Sequence, residues 1–117
     1  MYVACIALLV ASVMTEAGVV RKDGVTINKT TVVADRDSLG EVAYGGCLIN
    51  ITPKLVGCST YMAIDCKGRA GRYTASEGRT LFDAANLAKV SGRTVLVQAD
   101  NAVKINGYCV VDRIRID

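Results

Sequence analysis

Five cysteines, four of them in the last seventy-one residues, and not one histidine set the narrowest limit on what this chain can be. Cys47, Cys58, Cys66 and Cys109 are separated by ten, seven and forty-two residues, and the sequence contains no His. Structural zinc asks for ligand pairs at short spacing, such as C-x2-C, often completed by His, and no such pair is present. A nucleophilic cysteine asks for a base that holds it as thiolate, and its usual partner is missing. Disulfides and reduced core thiols remain, and the choice between them turns on the redox compartment.

The first seventeen residues bear on that compartment. MYVACIALLVASVMTEA has no Lys or Arg, and its only charge is Glu16. The apolar run from Tyr2 to Met14 is shorter than the roughly 20 residues of a membrane span, but it fits the h-region of a secretory signal, about 7 to 15 residues. Thr15-Glu16-Ala17 supplies small residues at the third and first positions before a cleavage point. The competing reading makes this segment a buried helix or strand of the domain. Residues 1–17 are therefore expected to be a signal peptide and 18–117 a single domain. Removal of the signal discards Cys5 and leaves an even set of four, as expected for a two-disulfide framework in a secreted or periplasmic protein. Among the three possible pairings, the expectation is Cys47 with Cys58, closing the loop at Pro53, and Cys66 with Cys109, joining two strands.

Bulk properties narrow the partners. At 117 residues there is room for one core, and a net charge of +3 is small for a nucleic-acid footprint. The glycines of GRAGR lack the preceding strand and the lysine of a phosphate loop, and no cofactor motif is found.

Along the chain, GVVRKDGVTINKTTVV reads as two β-branched runs around Lys22-Asp23-Gly24, a hairpin signal. EVAYGGCLINIT reads as a strand ending at Pro53, and STYMAIDCKG as another with Met62, Ile64 and Cys66 on its core face. TASEGRTLFDAANLAKVSG is the one helical stretch. Thr74 and Glu77 stand at capping-box spacing, Leu81, Ala84, Ala85 and Ala88 form an apolar stripe with Leu87 adjacent, and Gly92 is placed for the stop. RTVLVQA and GYCVVDRIRI follow as strands joined by DNAVKIN. The expected fold is mainly β with one helix (α+β): an OB-like antiparallel barrel of five to six strands, capped by the helix near 75–91. A two-layer sheet with the helix across it is the alternative.

The stretches CSTYMAIDCKG, LFDAANLAKVSGRTVLVQAD and NGYCVVDRIRI, within Cys47 to Ile116, resemble small secreted bacterial four-cysteine OB-fold proteins. They are also similar to the receptor-binding B subunits of AB5 toxins of the subtilase cytotoxin type. The resemblance implies a non-catalytic, receptor-binding role and a ring-forming oligomer. It transfers no binding residue to this sequence.

Candidate ligand contacts come from residue chemistry. Tyr44, Tyr61 and Tyr73 offer rings that stack on sugar faces, and the basic stretch KGRAGRY, with Arg69 and Arg72, offers guanidinium groups for phosphate or a sialic-acid carboxylate; Arg79, Lys89 and Arg93 lie near it in sequence. Asp35, Asp37 and Glu41 cluster in a loop whose spacing matches no calcium loop. Asn28-Lys29-Thr30 and Asn50-Ile51-Thr52 are glycosylation sequons. The expected function is a secreted, non-enzymatic module, without cofactor or metal, that recognises a glycan or protein receptor through a barrel face. The alternative is a cytoplasmic OB-like binder of single-stranded nucleic acid, with Arg69, Arg72 and Arg93 on phosphates and Tyr61 or Tyr73 stacking on bases.

Overall fold

The computed structural model describes residues 18–33 and 46–117. Segment 1–17, the carboxylates Asp35, Asp37 and Glu41, and Tyr44 lie outside the described residues. The elements are β1 (Val19–Val32), β2 (Gly46–Thr52), β3 (Tyr61–Asp65), α1 (Ala75–Ser91), β4 (Val95–Ile105) and β5 (Tyr108–Ile116). The protein is mainly β with one helix among the described residues, and its five strands pair in a closed ring in the order β1-β2-β3-β5-β4.

β1 closes the ring, and it does so by changing partners. Val19 to Val25 pair with β4, whereas Thr26 to Val32 pair with β2. The hairpin expected at Lys22-Asp23-Gly24 does not form. Its turn residues sit inside one fourteen-residue strand, at the register shift between Lys22 and Val25, with Gly24 at φ 66°. The turn chemistry is used to kink one strand from one neighbour to the next, as a bulge does, because only Gly24 there takes positive φ.

Two other departures concern β3, β4 and β5. The ring is not wholly antiparallel, because β5 meets β3 in parallel at Ala63 and Val110. DNAVKIN is not a connecting loop: β4 runs on to Ile105 and turns at Asn106-Gly107, both at positive φ (50° and 85°), the geometry of a two-residue hairpin turn.

Period two places Val25, Ile27, Ile49, Ile51, Met62, Ile64, Val95, Val97 and Val111 in the core, each at most 4 % exposed. Ala63 and Asp65, on the opposite side of β3 from Met62 and Ile64, are buried as well, so β3 is covered on both faces. The helix caps as read. Thr74 Oγ1 accepts from the Glu77 N–H at 3.1 Å, Glu77 Oε1 accepts from the Thr74 N–H at 2.8 Å, and Gly92 ends the helix in the left-handed region. Its buried face is Gly78, Phe82, Ala85 and Ala88, rotated from the expected stripe, while Leu87 is exposed. Gly78 explains the rotation, since a Cβ there would land on the Asp65 carbonyl oxygen and only glycine lets the first turn rest on the end of β3.

Among the described residues all four cysteines are paired, as Cys47–Cys66 and Cys58–Cys109, with Cα separations of 5.9 and 5.7 Å. The expected pairing of Cys47 with Cys58 and Cys66 with Cys109 is corrected by strand geometry. Antiparallel pairing sets Cys47 opposite Ile64, bringing Cys66 to the same end of the β2–β3 pair, while Cys58 lies in the loop at the far end. A bridge from Cys47 to Cys58 would have to span the length of β2, roughly 17 Å.

Candidate functional site

The loop from Lys67 to Tyr73 lies as a strap across the outer face where β3, β5 and β4 meet. Asp65, fully buried, holds it from below: its carboxylate accepts from the backbone N–H groups of Arg69 at 2.8 Å and Ala70 at 2.7 Å. Tyr73 fastens the other end by donating its hydroxyl to the Val111 carbonyl at 2.6 Å and accepting from the Asp65 N–H at 3.1 Å. Burial, above all, pushes the Tyr73 phenol up to about 12, with the nearby Asp65 and Asp112 charges adding to the rise, so the ring is a neutral donor at physiological pH. Arg72 lies between two carboxylates, Asp112 at 3.6 Å and Asp100 at 3.9 Å, and Gln98 donates to the same Asp112 at 3.1 Å. Arg69, Arg72 and Tyr73 thus share one loop, with the Arg72 and Tyr73 side chains turned onto the fold.

Tyr61 stands apart, at the opposite end of β3, roughly 13 Å along the strand from Asp65. It is 37 % exposed and belongs to a different surface. Lys29, Asn50 and Tyr61 form one cross-strand row over β1, β2 and β3, with Thr26 opposite Thr52 in the next. Directly opposed residues share a face, so these side chains line the outside of the ring.

The bulge adds a further group. Asn28 falls at the register shift between Ile27 and Lys29, where β1 carries one residue more than its partner. Its Nδ2 donates to Asn50 Oδ1 at 3.0 Å and to Thr52 Oγ1 at 2.9 Å, and Asn50 Nδ2 reaches Thr60 Oγ1 at 3.5 Å. The result is an exposed ladder of two amides and two hydroxyls ending beside a tyrosine ring. Both amide hydrogens of Asn28 are used within the ladder, whereas its carbonyl and the threonine hydroxyls retain bonding capacity. The ladder can bond a hydroxyl-rich ligand while the ring packs on an apolar sugar face.

Asn28, Asn50, Thr52 and Thr60 escape a search of the sequence for ligand contacts. Both asparagines stand out only as sequons, and the bulge that sets Asn28 against Asn50 leaves no sequence signal. Of the cations near the basic stretch in sequence, Arg79 on α1 donates to the Cys66 carbonyl at 3.5 Å. With Lys67, Phe82, Asp83 and Val32 it borders a groove of about 380 Å³ along the Cys47–Cys66 disulfide. Val33 and Gly46 flank that groove in sequence and bracket residues outside those described, so its outline holds for the described residues alone. Among the described residues no group of three or more His, Cys, Asp or Glu gathers to hold a metal ion, and no helix is long and apolar enough to cross a membrane. No family model, curated protein or solved structure matches the chain.

Proposed function

We propose that this is an exported, non-catalytic binding module of OB type that takes a saccharide on the outer face of β1, β2 and β3. The strand order, the parallel β3–β5 contact and the helix placed between β3 and β4 support the OB reading. Two disulfides fit an oxidising compartment, and with the signal-like segment they favour a secreted or periplasmic protein.

The observation that carries the saccharide reading is the Asn28–Asn50–Thr52–Thr60 ladder beside Tyr61. Sugars present hydroxyls that need both donors and acceptors, plus apolar C–H faces that sit on aromatic rings, and the ladder offers all three in one place. The nucleic-acid alternative is weakened because two of its residues serve the fold: Arg72 faces two carboxylates and the Tyr73 hydroxyl is bonded to the Val111 carbonyl.

A glycan array probed with the exported, disulfide-bonded protein, followed by calorimetry on the hits, tests the proposal. Asn50→Ala and Tyr61→Ala are expected to lower affinity about tenfold each, near the net worth of a hydrogen bond or a stacked ring, while thermal stability and both disulfides are kept. Absence of glycan binding, or binding indifferent to both substitutions, would overturn it.

A further inference from the structure

The start of β1 has a feature that saccharide binding does not use. The Gly18 N–H donates to Asn101 Oδ1 at 2.7 Å, and the Asn101 N–H returns a bond to the Gly18 carbonyl at 2.9 Å. Asn101 is 8 % exposed, and its Nδ2 donates to the Val56 carbonyl at 3.0 Å. Gly57 permits that approach, because a Cβ there would come within 2.6 Å of Nδ2. One buried amide thus ties the residue that precedes β1, the β2–β3 loop beside Cys58 and β4 together. Residue 18 is also the position at which the Thr15-Glu16-Ala17 pattern places a cut.

We propose that an export peptidase cleaves between Ala17 and Gly18 and that Asn101 is the seat of the α-ammonium group so produced. In the hydrolysis, water adds its hydroxyl to the Ala17 carbonyl carbon and the C–N bond breaks. The Gly18 nitrogen takes the water's remaining proton and leaves as an amine, and at neutral pH it is protonated once more while the new Ala17 carboxyl group gives up its proton. Oδ1 of Asn101 already points at that nitrogen. A neutral peptide N–H there gives an ordinary bond, whereas an ammonium gives a charge-assisted one of about twice the strength. The charged groups on the elements packed here are Arg21, Lys22, Asp23 and Lys29 on β1, Lys54 in the β2–β3 loop, Asp100 and Lys104 on β4, and Asp112, Arg113 and Arg115 on β5, with Arg72 of the strap between Asp100 and Asp112. A neutral acceptor seat adds no competing charge and favours the protonated amine.

This inference rests on the exported half of the proposed function and is independent of the saccharide. The full-length gene is expressed for export in a bacterium, and the product's intact mass and first residue are determined. The α-amine of Gly18 is then titrated by NMR in the wild type, Asn101→Ala and Asn101→Asp. The expected product is residues 18–117 with two disulfides, with an amine pKa above the usual value of about 8. Asn101→Ala is expected to lower that pKa and Asn101→Asp to raise it, because a carboxylate replaces the neutral acceptor. Another first residue, a retained leader, or an amine that titrates alike in all three proteins would overturn the proposal. Where a variant does not fold, the wild-type value against the usual one decides. Glycan binding by the same preparation is read separately, so either proposal can fail alone.

Discussion

The Tyr73 hydroxyl bonds the Val111 carbonyl and the Asp65 N–H together, linking the strap to the parallel junction of β3 and β5. Tyr73→Phe keeps the ring and removes both bonds, and the expected cost is about 1 to 3 kcal/mol by urea unfolding. The same variant changes the alkaline limb of stability. A phenol at about 12 in the fold and 10 in the unfolded chain stabilises below pH 10, and this contribution is lost as pH rises from 10 toward 12. Wild-type stability should fall across that window, and the Tyr73→Phe curve should be flatter there.

Asp65 holds the strap through two backbone N–H groups, and its burial makes the loss of its carboxylate costly. Asp65→Ala leaves both donors without their acceptor and should cost about 3 kcal/mol or more, whereas Asp65→Asn, which keeps one acceptor oxygen, should cost less. Hydrogen exchange at Arg69 and Ala70 reports the effect directly: both amides should lose protection in Asp65→Ala.

The two disulfides close loops of different size, with separations of 19 and 51 residues. On chain-entropy grounds each contributes about 3 to 4 kcal/mol, the longer one about 1 kcal/mol more. Replacement of Cys58 and Cys109 by Ser should therefore lower the unfolding midpoint further than replacement of Cys47 and Cys66.

Gly78→Ala is expected to destabilise despite alanine's better helix propensity, because its Cβ meets the Asp65 carbonyl. Overpacking of this kind costs about 1 to 3 kcal/mol. Gly71→Ala is the control for a loop glycine, since a Cβ there meets nothing within 4 Å and only its φ of 72° opposes the change.

The helix was legible to the residue at both ends because its signals are local: Thr74 and Glu77 bond each other, and Gly92 supplies the left-handed stop. Its buried face was less legible, since Gly78 faces inward only because β3 ends beneath it. The same division holds for the strands. Alternation in β3 picks out Met62, Ile64 and Cys66, all buried, but Lys22-Asp23-Gly24 offers the same residues to a turn and to a kink, and ring closure decides between them. The cysteines could be counted but not paired, because pairing follows from which strand ends meet. In the candidate site Tyr61 was visible as an aromatic, whereas Asn28 and Asn50 became neighbours only through a bulge.

The change of partner along β1 also sets the order in which the molecule can be completed. Val19 pairs with Asp100, about eighty residues later in the chain, so the seam between β1 and β4 cannot close until nearly the whole polypeptide is available. Contacts of such long range slow folding. On the export proposed above, a chain threaded N-terminus first through a channel would therefore stay open until its last strands emerge on the far side.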